Sequence, residues 1–433
     1  MARYEYTRGT SNKFWEIEVS GNAYTVQYGR IGTVGQTTTK SFASEAVARK
    51  QAESAIRSKE AKGYVKVEEE ALAFDRAEAE ERLVLADRLQ ESGDPRGRLI
   101  ALQHEIGQNT GKDRAALKKT EAALLVEHAD ALLGPFQTDA GRACSEVGWK
   151  LGYWEKLKIF ASYHHQEQAT EDLLREALGH PSAAQLEHLH LGIPGSVWSG
   201  MSNWQGGIDV LAEIGSESVR SLELSDQDDH AEISWCEIGS LAALWPKVPG
   251  LEKLVVRGVG IALGAIEAPK LRYLELYSGG LPAEPVRRIS EARLPALEHL
   301  EILFGAADYG ASATIDDCAG ILEGRGLPAL RWLGLKNAEM QGEIAAAVAN
   351  APILARLSVL DLSMGTLVDD QAEVLLAHAD RFRHLEKLDL SDNYLSDAMV
   401  RRLRDALPCC TAHGQREPDA WNDEVYHYTS VAE

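Results

Sequence analysis

At 433 residues the chain is too long for one compact core, so several domains or a repeat array with attached modules are expected. Its apolar fraction of 45% suits a folded protein, no run approaches the ~20 apolar residues of a membrane span, and MARYEYTRGT lacks the apolar core of a secretory leader. The net charge of -21 is lopsided: residues 1–67 hold eleven Lys and Arg against six Asp and Glu, the remainder 34 against 60, as if a small basic end could touch nucleic acid while the acidic body could not.

Residues 1–67 open with strand-like segments at Arg3–Thr7, Lys13–Ser20, Ala23–Arg30 and Thr37–Phe42. Trp15, Ile17 and Val19 alternate with Glu16 and Glu18, and Tyr24, Val26 and Tyr28 alternate again after a Gly21-Asn22 turn. Ser44 is placed to cap a helix reaching Lys59, and Tyr64–Val67 reads as a closing strand. The residues Asn12-Lys13-Phe14-Trp15, Tyr28-Gly29-Arg30-Ile31-Gly32, Gly35-Gln36, Lys40 and Lys59-Glu60-Ala61-Lys62-Gly63-Tyr64 resemble, in order and spacing, the WGR domain. Its signature tryptophan is Tyr28 here.

In poly(ADP-ribose) polymerases that domain contacts DNA. The resemblance implies that Tyr28 stacks on an exposed sugar or base and Arg30 grips a phosphate, with Lys13 and Lys40 as further nucleic-acid-binding positions. A second reading stays open, in which Tyr28 packs on the sheet and Arg30 pairs with a carboxylate. Gly29, Gly32 and Gly35 are not spaced as a phosphate loop and read as turn glycines.

Residues 68–153 begin with a solvated Glu68-Glu69-Glu70 joint and continue with helical spacing from Leu72 to Leu133, interrupted by a turn at Asp94-Pro95-Arg96-Gly97. The run from Leu85 to Ile100 resembles a short companion motif that precedes repeat arrays in bacterial proteins. The segment reads as a helical spacer and as an N-terminal cap for the residues beyond 153.

From residue 154 to 407 one frame, apolar-x-x-apolar-x-apolar, recurs nine times, and it resembles the leucine-rich repeat signature. The anchors are Trp154/Leu157/Ile159, Leu186/Leu189/Leu191, Val219/Leu222/Leu224, Leu251/Leu254/Val256, Leu271/Leu274/Leu276, Leu297/Leu300/Ile302, Leu330/Leu333/Leu335, Leu357/Leu360/Leu362 and Leu385/Leu388/Leu390. First anchors lie 32, 33, 32, 20, 26, 33, 27 and 28 residues apart. One such strand cannot bury its leucines alone, so stacked neighbours must share a core. The expected fold is an α/β leucine-rich repeat solenoid behind an N-terminal α+β module and a helical spacer. In the best-formed unit Asn393 is placed to satisfy the loop backbone, and Asp397 to cap the following helix.

Residues between the anchors should face the concave side. Those expected to bind a partner are His188, His190, Glu223, Tyr273, Glu275, His299, Glu301, Trp332, Asp361 and Asp389. An acidic column with aromatic anchors suits a basic protein and repels nucleic acid. No Ser/His/Asp or paired-carboxylate spacing marks a catalytic site. His188 and His190, near His164-His165, lack supporting metal ligands, and the Gly258–Gly264 run misses the dinucleotide spacing. Five scattered cysteines without C-x-x-C spacing, Cys409-Cys410 among them, point to a reducing cytoplasm. Residues 408–433 read as a C-terminal cap or a tail. The sequence therefore suggests a non-enzymatic bacterial adaptor without cofactor or metal, holding a basic protein on its repeats and DNA ends on its WGR-like module. An inhibitor or immunity protein that neutralises a basic toxin or nuclease is the alternative.

Overall fold

The computed structural model describes residues 2–8, 11–30, 36–42, 44–60, 62, 64–67, 76–161, 170–193, 202–226, 233, 236–421 and 424–431. His164-His165, Gly32, Gly35 and the Glu68–Glu70 joint lie outside them. The chain divides into two compact units, 1–137 with 149–153, and 138–148 with 154–433. No helix among the described residues is long and apolar enough to cross a membrane.

In the first unit, β1 (Ala2–Arg8), β2 (Ser11–Ser20), β3 (Ala23–Arg30), β4 (Gln36–Ser41), helix α1 (Glu45–Glu60) and β5 (Val65–Val67) form an antiparallel sheet of order β4-β3-β2-β1-β5. The period-two apolar positions Trp15 and Ile17 share a face with Tyr4 and Tyr24, and Ala52 of α1 packs into the same cluster. Burying side chains of this size contributes roughly 1.5–3 kcal/mol each. Ser44 Oγ accepts from Val47 N at 3.4 Å at the start of α1.

Three long helices, α2 (Arg76–Glu91), α3 (Pro95–Gln108) and α4 (Gly111–Glu127), and two short ones, Ala129–Leu133 and Asp139–Ala143, follow among the described residues. Asp94 caps α3, accepting from Arg96 N at 2.9 Å and pairing with the Arg96 guanidinium. Gly97 is required by a close approach, because a Cβ there would stand 2.5 Å from the Ala86 carbonyl oxygen of α2. Buried Gln103 donates to Glu121 at 2.8 Å and accepts from Gly152 N at 2.7 Å, tying α3, α4 and the Leu151–Tyr153 turn together. Beyond Leu133, where the helical spacing ends, β6 (Ser145–Lys150) is a strand.

The second unit is built on a parallel ladder. Its strands β7 (Tyr153–Ile159), β8 (His188–Leu191), β10 (Ser221–Leu224), β12 (Lys253–Arg257), β14 (Tyr273–Tyr277), β15 (His299–Gly305), β16 (Trp332–Ala338), β17 (Val359–Asp361), β18 (Lys387–Asp389) and β19 (Cys410–Thr411) are neighbours in chain order. Between them in the chain lie β9 (Ser202–Asn203), β11 (Cys236–Ser240) and β13 (Val259–Ala262), which form a separate parallel sheet of order β13-β11-β9. The frame expected nine ladder strands; among the described residues the sheet has eleven, because β6 joins one end and β19 the other.

Register is continuous. Leu157, Leu189, Leu222, Leu254, Leu274, Leu300, Leu333, Leu360 and Leu388 stand side by side across the sheet, and all are at most 1% exposed. A slip of one residue on any strand would turn its leucines to the opposite face, so the shared row fixes the register. Helices such as Ala283–Glu291, Gln341–Asn350 and Asp397–Ala406 return the chain on the leucine side, burying Val286, Ile289, Ile344, Val348, Val400 and Leu403. The 20-residue spacing between Leu251 and Leu271 leaves no room for a helix. There β13 makes the return instead, because a strand advances about 3.3 Å per residue against 1.5 Å for a helix.

Asn393 does what its place in the repeat suggested. Its Nδ2 donates to the carbonyls of Leu362, Leu390 and Ser391 at 3.0, 3.1 and 3.2 Å, and its Oδ1 accepts from Leu367 N at 3.1 Å. The cap of the next helix is Ser396, whose Oγ accepts from Met399 N at 3.1 Å, and Asp397 is the first helical residue. Gln341 bridges Leu335 O and Ala338 N in an earlier unit, where the sequence offers no asparagine at the matching place.

Candidate functional site

Two side-chain groupings stand out, one in each unit. In the antiparallel sheet, Lys13 lies opposite Arg30 and Trp15 opposite Tyr28. Tyr28 thus continues the face of the core yet is 40% exposed, with its hydroxyl 3.3 Å from Gln36 Oε1. Exposed Lys13 and Lys62 act on Lys59, whose ammonium lies 4.4 Å from the Tyr64 ring centroid and 5.4 Å from that of Trp15. Partial burial, then the charges of Lys62 and Lys13, lower the Lys59 pKa. Lys59, missed as a site residue, could have been found from the aromatic and basic residues around it. Lys40 does not join this group: it pairs with Tyr24, four residues and about 14 Å along β4 from Gln36. The Arg30 side chain lies outside the described residues, as does Ile31.

On the open side of the ladder the first outward positions of β14, β15 and β16 are Tyr273, His299 and Trp332. Their rings stack: Tyr273 to His299 at 4.2 Å and 17°, His299 to Trp332 at 3.8 Å and 12°. Lys253 caps the row, 5.5 Å from the Tyr273 centroid. Gly334 makes room for it, because a Cβ there would come within 2.7 Å of the Trp332 indole.

The second outward column does not form a bare acidic strip. Lys253 binds Glu223 at 2.6 Å, and Arg257 lies 3.5 Å from Glu223 and 3.3 Å from Glu275. Lys336 lies 2.8 Å from Glu301 and 3.3 Å from Asp361, and Lys387 lies 2.9 Å from Asp389. Burial alone would raise the Glu223 and Glu301 carboxyls, but Lys253 beside the first, and His299 and Lys336 beside the second, hold both below their ordinary values. Burial and its bond to Glu275, 2.7 Å away, push the Tyr273 phenol well above its ordinary range. His299 Nε2 stands 3.6 Å from Glu301 Oε2.

Arg257 and Lys336 were missed, although they lie one alternation beyond the second outward positions Val255 and Gly334 and were open to the same rule. Val255, which lies between the anchors Leu254 and Val256 and so is expected on the concave face, is buried. The acidic column expected to attract a basic protein is therefore largely neutralised within the chain.

His190 joins another pair. Its Nε2 lies 2.9 Å from Asp226 Oδ1, and Lys158 Nζ lies 2.7 Å from Asp226 Oδ2; His188 is half-buried one alternation earlier on β8. Burial opposes ionisation of Asp226, but His190 and Lys158 outweigh it and bring its pKa from 3.8 to about 2. A depressed carboxyl contributes stability above pH 3.8 that is lost as pH falls toward 2, about 2 kcal/mol at neutral pH. Asp226→Asn should therefore destabilise the protein at pH 7 and lose most of that effect near pH 2 in urea unfolding. A gap that ignores pH would remove the ion pair as its cause.

Among the described residues no cluster of three His, Cys, Asp or Glu side chains could hold a metal. All five cysteines are free, and burial pushes the thiols of Cys236 up to about 11 and of Cys318 and Cys410 up to about 12.

A segment of 62 residues is 40% identical to YfeS, an uncharacterised protein of Escherichia coli K12, over 14% of this chain and 25% of that one; the chain thus spans about a quarter of that relative's length. A crystal structure of a Bacteroides fragilis protein aligns over 99% of both chains, at 25% identity and a TM-score of 0.62. A TLR13 complex with ssRNA13 aligns over 60% of this chain and 35% of its own at 15% identity, with a TM-score of 0.33. Residues 1–71 match the family described as the WGR domain, so the chain carries a WGR domain at its N-terminus.

Proposed function

We propose that this chain is a non-enzymatic bacterial adaptor. Its parallel ladder is a leucine-rich repeat solenoid whose open face holds a protein, and its WGR domain holds a nucleic acid, with DNA ends the preferred form. The observation that carries the nucleic-acid half is the meeting of Tyr28, Lys13, Lys59 and Lys62 around the end of one sheet face. An exposed ring among cations offers stacking to a base or sugar and charge to a phosphate. For the protein half the support is the stacked Tyr273–His299–Trp332 row, since rings are enriched at protein interfaces. With the carboxylates of that face already paired, a partner is recognised through the rings and through exchange of ion pairs, rather than by bulk negative charge.

The test is titration of the full-length protein with a labelled DNA duplex at two salt concentrations. Affinity should fall steeply with salt. Tyr28→Ala should weaken binding by ~1–3 kcal/mol, the value of one stacked base. Arg30→Ala should weaken it and reduce the salt slope by about one. Lys40→Ala should do less than either, given its distance from Tyr28. Affinity unchanged by Tyr28→Ala and Arg30→Ala alike would remove nucleic acid from this reading.

A further inference from the structure

The residues after β19 do not add a repeat. A hairpin of β20 (Asp419–Trp421) and β21 (Glu424–Tyr426) turns the chain round, and Tyr428–Val431 then runs back over the loops of earlier repeats. Two ladder side chains each hold both backbone groups of one tail residue. Tyr394 Oη accepts from Tyr428 N at 2.9 Å and donates to Tyr428 O at 3.0 Å. The Asn337 amide accepts from Val431 N at 2.9 Å and donates to Val431 O at 2.5 Å. Between them Met364 O accepts from Ser430 N at 2.9 Å, and Arg416 donates to Tyr428 O at 2.6 Å.

The two held residues lie three apart across a bend at Ser430, and most of the contacts go to backbone. Ser430 Oγ donates to Asp392 O and accepts from Arg416, each at 3.4 Å, and the His427 ring stands edge-on to Tyr394 at 4.6 Å. Thr429 is the one fully buried side chain, at 6% exposure; Ser430 and Val431 are partly buried and Tyr428 is 53% exposed. Capping does not account for the path. The edge strand of the ladder is β19, but the tail bonds to Asn337, Met364 and Tyr394, from repeats whose strands β16, β17 and β18 already have neighbours on both sides. Asn337 and Met364 take left-handed backbone angles, φ 53° and 69°, at the same place in successive repeats, so the row is a repeated feature of the ladder.

We propose that this row of loops is a binding groove for a short peptide segment of a protein partner, held by its backbone and occupied in cis by the chain's own residues 428–431. The segment it takes places a small hydroxyl residue where Thr429 sits, follows it with a second small polar residue that reaches Asp392 O and Arg416, and leaves the preceding side chain to solvent. The groove is separate from the open face of the sheet, and its occupation stands or falls independently of that face. A tethered tail acts at an effective concentration on the order of 1 mM, so an outside peptide must compete with it. Release of the tail is therefore the step that opens the groove.

The experiment uses a labelled peptide of residues 426–433 and the full-length chain, read by fluorescence anisotropy. Thr429→Arg, which cannot be accommodated at the buried position, should free the tail and bind the peptide at least tenfold more tightly than the native chain. Adding Asn337→Ala should abolish that gain. No binding by the Thr429→Arg chain, equal binding by both chains, or peptide-independent dimers formed by tail exchange would overturn the proposal. Should Thr429→Arg not fold, the native chain decides: excess peptide must speed hydrogen exchange at Ser430 and Val431, and unchanged exchange overturns the proposal equally.

Discussion

Asn393→Ala is expected to lower the unfolding free energy of the ladder by about 3–4 kcal/mol, although it deletes only one amide group. The Asn393 side chain is fully buried and serves three carbonyls and one N–H, drawn from two successive repeats. An alanine takes the amide from all four; Leu390 O keeps Gln415 Nε2 and Ser391 O keeps Met364 N, whereas Leu362 O and Leu367 N lose their bonds to it in a buried place. A lost net hydrogen bond is worth about 1 kcal/mol and an unsatisfied buried group more, so the sum exceeds the usual surface substitution several-fold. Urea unfolding followed by circular dichroism checks it, with exposed Arg383→Ala as the control within about 0.5 kcal/mol of native. An Asn393→Ala loss no larger than the control's would show that the loop reorganises to satisfy itself.

The leucine frame was readable because the same burial problem is solved again in each repeat, and repetition leaves a period. Leu222, Leu254 and Leu274 announce themselves by spacing alone, and so does Asn393 within its loop. What spacing could not give was the traffic on the open face. Lys336 meets Glu301 across 35 residues and Arg257 meets Glu275 across 18, so no local pattern links them. The second outward column therefore looked acidic, whereas neighbouring strands supply most of the bases that neutralise it, Lys387 beside Asp389 on β18 being the exception. The C-terminal return was hidden for another reason. Tyr428–Val431 has no apolar period, and its partners lie 34 and 94 residues away, with side chains gripping backbone. In the WGR domain the order of motifs marked Tyr28 and Lys13, but only strand register separates Lys40 from them.

The second large effect concerns Glu301, an acid that sequence alone would treat as a surface charge open to reversal. Its side chain is 15% exposed, with Lys336 at 2.8 Å and His299 at 3.6 Å, and Lys336 is itself only 14% exposed. Glu301→Lys would set two ammonium groups together in a half-dry pocket and leave Asp361 to serve both. Breaking a buried pair in this way costs about 3–5 kcal/mol, which is enough to disorder the repeats around β15 and β16. Glu301→Gln keeps the volume and an acceptor for Lys336 and should cost about 1–2 kcal/mol. Reversal at Glu301 is thus a test of stability and confounds any test of partner binding. The clean probe of the open face is Trp332→Ala, which removes one end of the ring row but no charge. Its loss should leave the ladder folded and reduce capture of a protein partner at least tenfold. Thermal unfolding and pull-down of the three variants side by side separate the two effects. A Glu301→Lys protein as stable as native would mean that Lys336 swings free of the pocket. Undiminished capture by a folded Trp332→Ala protein would take the ring row out of partner recognition.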